Sequence, residues 1–167
     1  MTLILPELVY LSLGSNVGDR AAYLRAAIER LAEVGTVKAT SGLYETEPVD
    51  FRDQPWFLNC AVALETGKTP RELLAHALAI EEGMGRRRTR GKGPRIIDID
   101  ILLFGDRVID EPGLKIPHPA MQERRFVLEP LAEIASGVLH PAIKKTARQL
   151  LAELPTGQAV RSLRPET

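Results

Sequence analysis

Sulfur chemistry is almost absent from this chain: its 167 residues include one cysteine, Cys60, so no intrachain disulfide can form. Cys60 lies in the apolar run Leu58-Asn59-Cys60-Ala61-Val62-Ala63-Leu64. It reads as a small buried hydrophobe; the alternative, a catalytic thiol, lacks a cationic activator nearby in sequence. Long apolar runs are missing too. No segment approaches the roughly 18 apolar residues of a membrane span, and the opening Met1-Thr2-Leu3-Ile4-Leu5-Pro6 has no basic region ahead of it, so the protein is expected in the cytoplasm, without a membrane partner. Net charge is absent as well: 22 basic residues balance 22 acidic ones, which removes any general attraction for nucleic acid or anionic lipid. There is no Gly-x-x-x-x-Gly-Lys-Ser/Thr element, and Gly14-Ser15-Asn16-Val17-Gly18 is too short and lacks the lysine. Any phosphate must therefore be held by side chains and metal. Repeats and low-complexity tracts are also lacking, and the length suits a single domain over residues 1–167 with one core and no room for a fused partner. Asparagine is scarce in an arginine-rich chain, a composition shared by heat-tolerant proteins and by GC-biased genomes.

What is present alternates between strand and helix signals. Residues 8–13 read as a strand. Gly14-Ser15-Asn16 then turns the chain toward Asp19, the N-cap of a helix with Leu24, Ala27, Ile28 and Leu31 on one face. Residues 37–44 and 57–65 read as two further strands, joined by a loop over 45–56 that holds Pro48 and Pro55 and is longer than a hairpin requires. Thr69-Pro70-Arg71-Glu72 is a capping box with proline at the first helical position, and Gly83 and Gly85 end the helix it opens. A strand over 96–104 follows. Strand, helix, strand, strand, helix, strand is the split-βαβ, ferredoxin-like order, which predicts an α+β fold with an antiparallel sheet and helices on one face. Beyond it come a short strand at 108–109, an extended Ile116-Pro117-His118-Pro119, and added C-terminal helices over 127–135 and 146–154.

The chemistry concentrates in Gly93-Pro94-Arg95-Ile96-Ile97-Asp98-Ile99-Asp100-Ile101-Leu102. Asp98 and Asp100, two apart on a strand, share one face while the isoleucines take the other. Two carboxylates side by side repel one another, an arrangement that cations over the pair would relieve. They read as ligands for magnesium, which takes one or two carboxylates plus substrate phosphates; the alternative is a half-exposed pair neutralised by Arg95. Just upstream stand Arg86, Arg87, Arg88, Arg90, Lys92 and Arg95. With Gly91 and Gly93 among them, these cations suit a loop that closes on a polyphosphate, although a solvated loop has the same composition. His118, between two prolines, and the pair Arg124-Arg125 are phosphate donors or surface structure. Phe57 and Asn59 share a strand face, equipment for holding a flat heterocycle, or else one core and one edge residue.

Taken together, these segments resemble 6-hydroxymethyl-7,8-dihydropterin pyrophosphokinase along nearly the whole chain. The resemblance rests on Leu11-Ser12-Leu13-Gly14-Ser15-Asn16, Tyr44-Glu45-Thr46-Glu47-Pro48, Gln54-Pro55-Trp56-Phe57-Leu58-Asn59, Glu81, Gly85-Arg86-Arg87-Arg88, the Gly-Pro-Arg-x-x-Asp-x-Asp segment, Ile116-Pro117-His118-Pro119 and Arg124-Arg125-Phe126. It implies transfer of pyrophosphate from ATP to 6-hydroxymethyl-7,8-dihydropterin by attack at the β-phosphorus. It further implies two Mg2+ ions on Asp98 and Asp100, with Asp98 also touching the pterin. By position, Arg86, Arg88 and Arg95 grip the triphosphate, with Arg86 and Arg95 at the reacting phosphates. His118 and Arg124 close on it from the other side, and Glu81 and Ile101 lie at the nucleoside. Phe57 and Phe126 sandwich the pterin, Asn59 reads its polar edge, and Thr46, Pro48 and Val49 supply contacts from the loop. Lys92 stands where many relatives carry Trp or Asn, so no stacking role transfers there. The implied protein is a monofunctional cytoplasmic monomer acting on small molecules. Its rivals are a nucleic-acid-binding module using the basic loop, against which the neutral charge speaks, and a metal-dependent nuclease or phosphatase built on Asp98, Asp100 and His118.

Overall fold

The computed structural model describes residues 5–47, 55–85, 95–155 and 159–163. Pro48, Val49, Arg86 and Arg88 lie outside the described residues. The chain is α+β, built around β1 (Glu7–Ser15), a strand with antiparallel neighbours on both sides: β4 (Phe57–Thr66) and β5 (Asp98–Phe104). The far side of β4 is shared by β2 (Thr36–Thr40) and β3 (Leu43–Thr46). The sequence suggests one strand over 37–44, but Ser41 breaks it. Its backbone N–H donates to Ala61 O, at 2.9 Å, and its hydroxyl accepts from Ala61 N–H, at 2.8 Å, so a side chain stands in for the ladder while the chain shifts along β4. Gly14 and Ser15, expected in a turn, instead complete β1.

Helix α1 (Arg20–Leu31) starts at Asp19, whose side chain accepts from Ala22 N–H, and α2 (Pro70–Gly83) starts at the Thr69–Glu72 capping box. Such caps are worth about 1 kcal/mol each. Leu24, Ala27 and Leu31 of α1 and Leu73, Ala77 and Ile80 of α2 meet Val9, Leu11, Leu13, Cys60, Val62, Ile99 and Ile101 on one face of the sheet. Burial of each large aliphatic there contributes about 1.5–3 kcal/mol.

The register between β1 and β5 shifts at Tyr10/Leu11, and beyond the shift Leu102 and Leu103 both pack on the opposite face. The short hairpin of β6 (Ile109–Glu111) and β7 (Leu114–Ile116), longer than the single strand expected at 108–109, packs Leu114 and Ile116 into the first core before the chain passes to the opposite face. There α3 (Arg125–Ala135) buries Val127, Leu128 and Leu131. After the two-residue strands β8 (Leu139–His140) and β9 (Lys145–Thr146), α4 (Ala147–Glu153) adds Ala147 and Leu150. The added helices thus cover a second face. The chain ends its described course in β10 (Val160–Leu163), antiparallel to β3 at the sheet edge and unforeseen from sequence.

Candidate active site

Register decides which residues meet. Asp98 of β5 lies opposite Gly14 of β1, and Gly14 lies opposite Asn59 of β4; one step along, Asp100 faces Ser12 and Ser12 faces Ala61. On the far side of β4, Asn59 pairs with Tyr44, and Phe57 with Thr46. By the period of two, Asp98, Asp100, Gly14, Phe57, Asn59 and Thr46 all stand on the face that carries α3. The helix is tied to one end of that face through Glu133, which accepts from Tyr44 Oη at 2.5 Å and Gly42 N at 2.9 Å. At the other end Phe57, Asp98 and Asp100 remain half-exposed.

Asn59 is buried, and its Oδ1 accepts from the Thr46 hydroxyl at 2.7 Å. The amide nitrogen then points across β1, where a Cβ on residue 14 would come within 2.6 Å of it and 3.6 Å of Phe57 Cδ1. Glycine at 14 keeps the floor between Asn59 and Asp98 clear. An aromatic wall, an oriented amide and a bare floor fit a flat, hydrogen-bonding ring.

The acidic end is electrostatically mixed. Arg95 Nη1 donates to Asp98 Oδ2 at 3.1 Å, three residues apart, with both side chains about a quarter exposed. His118 is held at the outer edge of β5 by its N–H on Leu102 O, at 2.9 Å. Its Nδ1 accepts from Ala120 N at 3.1 Å, so the neutral ring carries its proton on Nε2 and can donate there. Burial, aided by the Arg124 guanidinium and opposed by Asp98, holds the His118 pKa below the ordinary 6.5. Asp98 and Arg124 thus both act on the His118 ring, with opposite sign. Arg124 itself lies over the Phe126 ring, 5.6 Å from its centroid, at the start of α3.

The donor set fits a hard divalent cation. Among the described residues no group of three or more His, Cys, Asp or Glu could cage a metal. Two carboxylates on one strand face suit an ion, such as magnesium, that takes its other ligands from phosphate and water. Glu81, on α2, and Ile101, on β5, lie away from this face. Ile101 packs in the core with α1 and α2, and buried Glu81 accepts from Ile99 N–H at 2.7 Å along the strand's outer edge. By the alternation of an antiparallel ladder, the Ile101 backbone lies on that same edge. Cys60 is buried, and burial pushes its thiol up to about 12, so it is the inert hydrophobe and no nucleophile.

Sequence reasoning missed the residues that tie this site together. Glu45 accepts from Arg20 at 2.7 Å and from Arg161 at 2.6 Å, while Arg20 also donates to Trp56 O at 2.9 Å and Arg161 lies over the Trp56 ring. Asn16, wholly buried at the end of β1, donates to Pro55 O and accepts from Arg95 N. Charge in an acidic-basic-aromatic set distant in sequence gives no local signal; Asn16 had one, as one of only two asparagines in the chain, the other being Asn59.

Residues 10–136 match the family described as 7,8-dihydro-6-hydroxymethylpterin-pyrophosphokinase (HPPK). The chain is 46% identical over 151 residues to the 2-amino-4-hydroxy-6-hydroxymethyldihydropteridine pyrophosphokinase of Methylorubrum extorquens, covering 89% of this chain and 94% of that one. It is 48% identical over 134 residues to the protein of that name in Bacillus subtilis, covering 79% and 80%. It also matches the Folic acid synthesis protein FOL1 of Dictyostelium discoideum, at 39% identity over 95% of this chain, but spans only 24% of that longer protein. Among solved structures, Plasmodium falciparum HPPK-DHPS with pterin and p-hydrobenzoate shares the fold with a TM-score of 0.71 at 19% identity, over 92% of this chain and 45% of that one. No helix among the described residues is long and apolar enough to cross a membrane. With three quarters of its length inside the family match and the floor, aspartates and cationic rim on one sheet face, the chain belongs to the 7,8-dihydro-6-hydroxymethylpterin-pyrophosphokinase family.

Proposed function

We propose that the chain acts as a single pyrophosphokinase domain, transferring the β,γ-diphosphate of ATP to the hydroxymethyl oxygen of 6-hydroxymethyl-7,8-dihydropterin in folate biosynthesis. The observation that carries this reading is the row Asp98, Gly14, Asn59 across β5, β1 and β4, which sets a heterocycle floor directly beside a carboxylate and its arginine. The acceptor oxygen attacks the β-phosphorus, the bond from that phosphorus to the α,β-bridging oxygen breaks, and AMP leaves; the hydroxyl proton passes to solvent.

Phe57 and Phe126 flank the pterin and Asn59 offers its amide to the ring's polar edge, with Thr46 fixing that amide and Pro48 and Val49 adjoining. Asp98 and Asp100 would hold two magnesium ions. Magnesium, when bound, neutralises the entering and leaving oxygens of the displacement. Arg95 and Arg124, with Arg86 and Arg88, meet the triphosphate with charge-assisted hydrogen bonds, and the His118 Nε2–H adds a neutral donor. The nucleoside lies along the outer edge of β5, where Glu81 occupies the Ile99 N–H and the Ile101 backbone follows. Catalysis is positioning and electrostatics, with no covalent intermediate. The protein works on small molecules as a cytoplasmic monomer, with neither nucleic acid nor membrane as partner.

A phosphatase or nuclease built on the same aspartates would not need the pterin. Incubation with ATP, magnesium and the hydroxymethyl dihydropterin is expected to give AMP and a pterin diphosphate in equal amounts, and no AMP without the pterin. Formation of ADP, or nucleotide hydrolysis independent of pterin, overturns the assignment.

A further inference from the structure

None of the roles above uses Asn16, yet it is wholly buried. It ends the strand segment between β4 and β5, next to Ser15 of β1. Its Nδ2 donates to Pro55 O at 3.2 Å, two residues ahead of Phe57 at the start of β4. Its Oδ1 accepts from Arg95 N at 2.6 Å, and its own backbone N–H donates to Arg95 O at 3.0 Å, so the Arg95 backbone is bracketed from both sides. Arg95 in turn bridges to Asp98 at the start of β5. One amide thus joins the approaches to both strands that carry the site.

The chemistry of the two contacts selects the residue. A proline carbonyl can only accept, and a backbone N–H can only donate, so one side chain must present a donor and an acceptor a short distance apart. Asparagine does so at this reach. Aspartate would keep the acceptor toward Arg95 but set a carboxylate oxygen against the Pro55 carbonyl, and an apolar residue would strand both groups. We infer that Asn16 is a positioning residue that sets the pterin-bearing strand against the Arg95–Asp98 pair and so aligns the acceptor hydroxyl with the diphosphate. It touches neither substrate; it acts through Pro55 and Arg95. The inference rests on the reaction proposed above. Misplacing two reactants by about 1 Å can cost about 100-fold in rate even where each still binds.

The test separates alignment from folding. For Asn16→Ala and Asn16→Asp, single-turnover transfer at saturating substrates is measured alongside binary affinities for the dihydropterin and for α,β-methylene-ATP, and the melting temperature. Asn16→Ala is expected to slow transfer about 10- to 100-fold while each binary dissociation constant stays within about threefold. Asn16→Asp, which retains the Arg95 contact, should keep nucleotide affinity within about twofold and still lose about tenfold in transfer. If the alanine variant does not fold, the aspartate variant carries the test. Transfer at the wild-type rate once substrates saturate, in whichever variants fold, overturns the inference, whatever the melting temperature does. A wild-type protein that forms no AMP overturns the proposed reaction itself, an outcome distinct from an active enzyme with indifferent Asn16 variants.

Discussion

Replacing Gly14 with alanine tests the floor of the site at its tightest point. The new Cβ would lie 2.6 Å from Asn59 Nδ2, where ordinary contact begins at 3.4 Å, an overlap of about 0.8 Å. β1 cannot retreat, because it is paired with β4 on one side and β5 on the other. The amide must swing instead, and that breaks its 2.7 Å bond from Thr46. Overpacking of this kind costs about 1–3 kcal/mol and the lost hydrogen bond about 1 kcal/mol, against about 0.4–1 kcal/mol gained by restricting the unfolded chain. The net loss is about 1–3 kcal/mol, and each kcal/mol lowers the melting temperature of a chain this size by about 2–4 °C. The larger effect falls on the pterin, which loses an oriented donor and meets a methyl group in its plane. At 1.4 kcal/mol per decade, an affinity loss of about 10- to 100-fold is expected by calorimetry. Affinity for α,β-methylene-ATP should stay within about twofold, since the residues proposed to meet the phosphates, Arg95, His118 and Arg124, come from segments other than the Gly14–Asn59 contact that the methyl group disturbs. Adding Thr46→Ala should cost less than the two single changes together, because both act through Asn59. A folded Gly14→Ala protein that binds the pterin within twofold of wild type refutes the floor assigned to β1 and β4.

Asp98→Asn and Asp100→Asn preserve shape and remove charge, so turnover should fall by at least about 100-fold in steady-state assays. The melting temperature should move by only a few degrees, because the half-exposed Arg95–Asp98 pair is worth less than about 1 kcal/mol; unfolding of either variant would mean the aspartates are structural. His140 accepts at Nδ1 from Ala142 N and Ile143 N, and burial holds its pKa below 6.5. A group whose folded pKa is depressed contributes stability that is intact above 6.5 and fades as pH falls below it. His140→Asn, which offers an oxygen in place of Nδ1, should flatten the acid limb of melting temperature against pH between about 7 and 5; parallel curves would contradict the assignment.

Much of this was legible in the chain because it is local. Asp98 and Asp100 share a face by the period of a strand, and Thr69 with Glu72 announces its helix. The alignment of Asp98 with Gly14 and Asn59 was not legible. It depends on two registers between segments more than forty residues apart, and a one-residue slip in either would turn the set to the other face. The break at Ser41 escaped for a related reason: a serine that bonds Ala61 in place of the ladder is indistinguishable in sequence from one that continues a strand. β10 has a short, mostly exposed pattern, and only its pairing with β3 and the reach of Arg161 to Glu45 give it meaning. Glu81 is expected at the nucleoside by resemblance alone; its bond from Ile99 N–H, which closes the edge of the strand that carries the aspartates, has no signal in the sequence.

The reaction itself is tested most directly by following phosphorus. ATP labelled with 32P at the β position, given with magnesium and 6-hydroxymethyl-7,8-dihydropterin, should deliver its label to the pterin product, while label at the α position stays in AMP. A pterin product that carries γ label without β label, or label released as free phosphate, would contradict attack at the β-phosphorus and the account built on this sheet face.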